Sequence, residues 1–320
     1  MAKIPNFKVQ KARNFVLEFK DPYAKLLLKR EVDLIPIDSK EFLYLQEQLF
    51  KEKGLIKLMD KQLATGAWLL PEKEDVFGPL QKSTTWTLVL LGLMGLNGTI
   101  ERKIEKAVEY IFETQYDYNT NTFHNHHEFW GDFMQSHNAS ILRALIRLGF
   151  TDNKDVKNAS IAHLDLIHDK EGYCKYKKGN LKCAWGLIKN LLFLNEWPDS
   201  WKNSKVKESI TACQNYLLAY DLSTANYPRL AEKPNNKWMR FSYFKTYHSD
   251  IFEALEALVT SGISDHPVTS KTLDAIGKRC SNEKTWLCEL NVNMQLKLEK
   301  NGHESPWLSI RGLKINNTPT

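Results

Sequence analysis

Apolar residues in this chain gather into runs, and five of the runs are opened by a polar and aromatic cluster: Trp86, His137-Asn138, Cys183-Trp185, His248-Asp250 and Pro306-Trp307. The clusters recur at roughly fifty to sixty residues, and a second, amphipathic segment lies between each pair. Self-similarity of such a long period marks an array of helical hairpins. In the first hairpin, Thr84–Leu96 is apolar on nearly every face, whereas 100–115 sets Ile104, Val108, Ile111 and Phe112 on one stripe opposite Glu101, Lys103, Lys106 and Glu109. A helix that is apolar all round is buried, and one with a single stripe covers a surface. Inner and outer layers are therefore expected to alternate.

The same alternation pairs 138–148 with 154–168, 183–194 with 204–222, and 249–259 with 268–279, and 307–315 closes the series. No segment sustains a period of two, so the fold class expected is all-α, with strands confined to short connections. Before residue 80 the pattern changes. A helix is expected over Phe42–Leu58 behind the N-cap Ser39, following a stretch interrupted by Pro22 and Pro36. The organisation predicted is an N-terminal helical extension, 1–80, packed on hairpin repeats over 81–320.

Composition narrows the classes. The 320 residues are 42% hydrophobic and 26% charged, ordinary for a globular chain. The net charge of +6 is scattered, and no Lys/Arg run suggests a nucleic-acid partner. Five cysteines without a C-x-x-C pair argue for reduced thiols, against both a disulfide framework and a standard zinc module. The longest apolar run, Leu88–Leu96, is about half the length of a spanning helix. The opening residues develop no apolar centre of the signal-peptide kind, so a cytoplasmic location is expected.

The segments Leu58–Trp68, Ile111–Phe123 and Leu166–Cys174 resemble degenerate copies of the glutamine, acidic-glycine, aromatic repeat of the terpenoid cyclase and protein prenyltransferase superfamily. The likeness spans roughly residues 55 to 316 and is closest to bacterial and archaeal proteins with prenyltransferase and squalene-cyclase-type repeats. Helix openings of that kind are Lys82–Trp86, Cys183–Gly186, Trp238–Phe241 with Tyr247–Asp250, and Ser305–Trp307. The resemblance implies an α/α toroid, in which inner helices enclose an apolar cavity, and an enzyme that transforms a largely apolar, isoprenoid-like ligand. The chain departs from the family in holding neither an Asp-x-Asp-Asp nor an Asp-Asp-x-x-Asp motif. In prenyltransferase β subunits zinc is held by an Asp-x-Cys and a later Tyr-His-Thr histidine. Cys183 and His248 resemble two of those ligands, but Leu181 stands at the aspartate's place. Zinc is the one cofactor the likeness brings.

Helix N-termini carry partial positive charge, so an anionic head group is favoured where the inner helices begin. Lys182, Lys189, Arg240 and Lys245 lie near those starts and could add to it, or could be solvated. His248 and Asp250, oriented by Tyr247, are the candidate acid–base pair, although Asp250 also suits a plain first-turn residue. Trp86, Trp185, Trp238 and Trp307, with His137 and Asn138, would shape the ligand pocket or else wedge helices together. His124, His126 and His127, near Asp132 and His137, are an alternative metal cluster or a solvated loop. A toroid that has lost catalysis and serves as a binding scaffold is the alternative from a different class.

Overall fold

The computed structural model describes residues 3–70, 82–124, 134–170, 182–229, 233–292 and 294–319. Thirteen α-helices and one two-stranded sheet make up their regular structure, so the chain is all-α. The N-terminal part holds α1 (Val9–Glu18), α2 (Pro22–Glu31), α3 (Lys40–Leu49) and α4 (Lys53–Asp60). Next come α5 (Thr84–Leu93), α6 (Arg102–Thr114), the strands β1 (Tyr116–Asp117) and β2 (Thr122–Phe123), α7 (Gln135–Arg147) and α8 (Lys154–Lys170). The last part holds α9 (Ala184–Asn195), α10 (Ser204–Leu218), α11 (Ile251–Thr260), α12 (Pro267–Gly277) and α13 (Pro306–Asn317). Among the described residues, no helix is long and apolar enough to cross a membrane.

Two expectations about the first 80 residues need correction. Pro22 does not interrupt a helix; it begins one. It occupies the first turn of α2 behind Asp21, whose carboxylate accepts from the Tyr23 and Ala24 amides at 2.9 and 3.1 Å. Proline suits that position because its missing N–H would have no intrahelical acceptor. The single helix expected over 42–58 is two. α3 buries Phe42, Gln46 and Leu49, whereas α4 buries Leu55, Leu58 and Met59. In one straight helix of 3.6 residues per turn these two sets would face opposite sides, so the break at 50–52 lets both reach the core.

Burial separates two classes of helix. All of α5 and α7 is buried, as is α11 through Val259, and α9 and α13 nearly so. α6 hides only its stripe of Ile104, Ala107, Val108 and Ile111 with their aromatic neighbours, and α10 hides Val206, Ser209, Cys213 and Leu217. The deeply buried helices pack in sequence, α5 on α7, α7 on α9, α9 on α11, and α11 on α13. Each takes one amphipathic helix on its other side: α6 on α5, α8 on α7, α10 on α9, α12 on α11. α13 packs on α1 and α2, and α3 packs on α2.

Neighbouring central helices run parallel, because starts meet starts and ends meet ends. Trp86 abuts His137 and Trp185 abuts His248 at the beginnings. At the far ends Asn195 donates to the Ala257 carbonyl at 3.0 Å, and Arg147 donates to that of Gly92 at 2.9 Å. α2 follows the same rule: the Trp307 indole donates to Asp21 at one end, and Lys314 reaches Glu31 at the other. Arg30 donates to the Gly95 carbonyl just past α5, and the Gln46 amide makes two bonds to the Asn97 backbone. Gly92 permits the close approach of α5 and α7; a Cβ there would sit 2.9 Å from the Ala144 Cα.

Candidate functional site

At the common N-terminal end of the central helices, aromatic rings and imidazoles form one layer. The Trp86 and His137 ring centroids are 5.5 Å apart, those of Trp185 and His248 6.1 Å, and those of Tyr247 and His248 5.9 Å, all edge-on. His137 is fully buried and neither ring nitrogen has a hydrogen-bond partner; burial lowers its pKa to about 3. His248 is 2% exposed. Its Nδ1 faces the Thr246 hydroxyl at 3.5 Å, and its Nε2 has no partner. Burial, and then the charges of Lys245, Lys189 and Lys237, push its pKa well below the ordinary histidine value. Both imidazoles are therefore neutral at neutral pH, able to donate or accept but not to act as standing acids.

His248 and Asp250 do not form the expected pair. The Asp250 carboxylate caps α11 by accepting from the Glu253 amide at 2.8 Å, and it lies 2.6 Å from the Lys245 ammonium. Capping turns this side chain back onto its own helix, while a residue two positions earlier points elsewhere. Tyr247 stays beside His248 and is half-buried.

Several other residues singled out in the sequence are placed as structural contacts. Asn138 accepts from the Phe123 amide at 2.8 Å and donates to the Phe123 carbonyl at 2.9 Å, pinning β2 to α7. Trp238 does not open a central helix. It lies in a short 3-10 turn, Asn236–Met239, donating to the Leu222 carbonyl at 2.8 Å and packed on Tyr227. Arg240 donates to the Glu289 carbonyl. Trp307 packs on Phe244 and Tyr243. Cys183 caps α9, its sulfur accepting from the Gly186 amide at 3.4 Å. No three His, Cys, Asp or Glu side chains converge as a metal site among the described residues, so Cys183 and His248 find no third ligand there. His124 lies 3.6 Å from Asp117; His126, His127 and Asp132 fall outside the described residues.

One turn below the aromatic layer the interior changes character. Trp86, Val89 and Leu93 follow one face of α5, His137, Ser140 and Ala144 one face of α7, and Trp185 and Lys189 one face of α9, by the helical spacing of three, four and seven. Beneath the rings, Lys189 donates to Glu253 at 2.7 and 2.8 Å, and Lys245 meets Asp250. Toward the helix C-termini, Arg147 bridges Glu31 at 2.7 Å and Glu196 at 2.8 Å. There Arg311 holds Glu256 at 2.8 Å, and Lys314 holds Glu31 at 2.7 Å. Arg143 reaches only 3.3 Å from Glu196 and 3.7 Å from Glu256. Burial would raise the carboxyls of Glu253 and Glu256, but the surrounding cations outweigh it and hold both at about 2. One cavity lined by residues of α5, α7, α9 and α11 and by Lys245 measures about 10 Å³, room for one water molecule.

At this level the central helices face one another through ion pairs, where the resemblance implies apolar surfaces. The signal for this was in the sequence, as charged residues inside otherwise apolar runs: Arg143 and Arg147 in α7, Lys189 in α9, Glu253 and Glu256 in α11, Arg311 in α13. Cations near helix C-termini are also favoured by the helix dipoles, which accounts for Arg147 and Lys314 at that end.

Set against known proteins, the chain matches no family model and no curated protein. What the site can do therefore rests on its own geometry. The layer at the helix starts offers apolar rings and three unsatisfied imidazole nitrogens. Each buried polar group left without a partner costs about 1–3 kcal/mol, which a ligand that bonds it recovers in part.

Proposed function

We propose that the central helices close into an α/α toroid of the terpenoid cyclase and prenyltransferase kind, with α2 completing the ring. Support comes from the packing of α13 on α2 and from the Arg30 bond to the Gly95 carbonyl beyond α5. On this reading the N-terminal extension supplies an inner helix, α2, and two outer ones, α1 and α3.

At the mouth of that ring the protein binds and transforms a small, largely apolar ligand. The observation that carries this reading is the pair of buried neutral imidazoles, His137 and His248, with unpartnered nitrogens beside Trp86 and Trp185. Ring faces would take the apolar body, and the imidazoles would bond its polar atoms. His248, with Tyr247 beside it, is the group placed to accept a proton from the ligand. Its conjugate acid, next to Lys245 and Lys189, would return the proton readily. Asp250 holds the helix start and Lys245 in place and does not join the transfer.

Titration of tryptophan fluorescence with isoprenoid alcohols and diphosphates tests this. The expected result is saturable quenching, weakened at least tenfold in Trp185→Ala and His248→Ala. Absence of saturable binding by any such compound overturns it.

A non-catalytic scaffold is the second reading, favoured by the ion pairs between the central helices. Its docking face would be the groove of about 550 Å³ between α6 and the α7–α8 turn. Glu105, Glu109, Glu113, Asp152 and Asp155 wall this groove over Val108, Phe112 and Phe150.

A further inference from the structure

α2, α5, α9, α11 and α13 each begin behind a side chain that accepts from a first-turn amide: Asp21, Ser83, Cys183, Asp250 and Ser305. α7 does not. The residue at its N-cap is Met134, whose side chain makes no cap, and neither the Gln135 nor the Ser136 amide meets an acceptor among the described residues. These two residues are 1% and 4% exposed, so water does not satisfy their amides as it does at a surface helix start. The Gln135 side chain is engaged elsewhere, its oxygen accepting from the Asn190 amide at 3.1 Å.

A second polar group is unsatisfied at the same place. His137 is the third residue of α7, fully buried, and neither of its ring nitrogens has a hydrogen-bond partner. Helical side chains lean toward the N-terminus, so this imidazole extends back over the turn that carries the two bare amides. One imidazole N–H and two amides therefore serve the same end of α7, beside the Trp86 ring. First-turn amides point along the helix axis and carry partial positive charge, which favours an oxygen bearing negative charge.

The surroundings limit how much charge that oxygen's group can bring. A helix start supplies about half an elementary charge. Burial alone lowers the His137 pKa, with no contribution from a cation, and the lysines nearest the layer, Lys189 and Lys245, are held by Glu253 and Asp250. A diphosphate, with several charges, would be poorly compensated here. A carboxylate brings one charge and two acceptor oxygens. We propose that the start of α7 binds the carboxylate of an apolar carboxylic acid, with the Gln135 and Ser136 amides and the His137 ring donating to its oxygens and the apolar remainder lying against Trp86. This assignment rests on the reading of the aromatic layer as a ligand site, and it adds the head group which that site takes.

The test is a tryptophan-fluorescence titration of the full-length protein at neutral pH with geranic acid, geraniol and geranyl diphosphate, which share one hydrocarbon chain. Geranic acid is expected to bind about tenfold more tightly than either of the others. His137→Phe should remove that preference. Gln135→Pro deletes one amide at the first helical position, where proline is tolerated, and Met134 before it is already extended. Geranic acid should bind Gln135→Pro about fivefold more weakly than Gln135→Ala, which loses the same side-chain bond but keeps the amide. If one variant fails to fold, the other decides. Saturable binding in which geraniol or the diphosphate equals or exceeds the acid overturns the carboxylate assignment and leaves the ligand site standing. A preference for the acid that survives both substitutions overturns its placement at α7. Failure of all three compounds to saturate overturns the ligand site itself, and the carboxylate assignment with it.

Discussion

Lys189 donates to both carboxylate oxygens of Glu253, at 2.7 and 2.8 Å, with both side chains out of solvent. Removing one partner leaves the other charge buried, whereas replacing both with apolar groups of similar size removes the difficulty. Lys189→Met should therefore cost about 3–5 kcal/mol, and Lys189→Met with Glu253→Met clearly less. Urea unfolding of the two variants decides it. A double variant as unstable as the single one would mean that the pair is not the unit.

Gly92 and Gly302 should respond differently to alanine. At Gly92 the new methyl would press on the Ala144 backbone, and overpacking of this kind costs about 1–3 kcal/mol and forces α5 and α7 apart. Gly302 has φ of +77° but nothing within 4 Å of an added Cβ, so only the backbone cost of about 1–2 kcal/mol applies. Chemical denaturation gives the totals. Tryptophan fluorescence near Trp86 should change in Gly92→Ala alone.

Acid should weaken the fold in two steps. His137 and His163 are held at about 3 and about 4, below the ordinary 6.5. As pH falls below 6.5 the unfolded chain takes up protons that the folded chain refuses, so stability drops by up to about 1.4 kcal/mol per pH unit for each histidine. Glu253 and Glu256, held at about 2, contribute fully above about 4.5, and that contribution is lost as pH falls toward 2. Unfolding free energies at pH 7.5, 6 and 5 should show the first step. His137→Phe should flatten it, and an unchanged slope in that variant would refute the assignment.

Asp21 holds two helices at once. It caps α2, and its second oxygen accepts from the Trp307 indole at 3.2 Å. Asp21→Ala should cost about 2 kcal/mol, the sum of a lost cap and a buried indole left unpaired. Asp21→Asn keeps an oxygen for the cap, so it should cost less. Equal losses in thermal unfolding would argue against the capping role.

The alternation of apolar and one-sided helices was legible because burial acts directly on sequence pattern: α6 shows its stripe, and α5 shows none. What the pattern could not convey is which buried charges meet. Arg147 and Glu256 stand out inside apolar runs, but their partners come from distant parts of the chain, and pairs such as Arg311 with Glu256 are 55 positions apart. Pro22 misled for a different reason, since proline is equally at home breaking a helix and starting one, and only the Asp21 cap decides between them. At the candidate site, His137 and His248 were recognisable as helix-start residues. Asp250 was recognisable as one too, but the choice between capping its own helix and serving His248 was not, because a carboxylate carries the same letter in either role.

The packing of α1 on α13 joins segments from opposite ends of the described chain. While the protein is being synthesised, the apolar faces of α1 and α2 must wait for a partner almost 300 residues away. Until α13 emerges from the ribosome these faces stay uncovered, available to chaperones or to neighbouring nascent chains. Contacts of such long range also slow the search for the native arrangement. A chain cut before Pro306 should accordingly be recovered in inclusion bodies, and supplying α13 as a separate peptide during refolding should return it to solution.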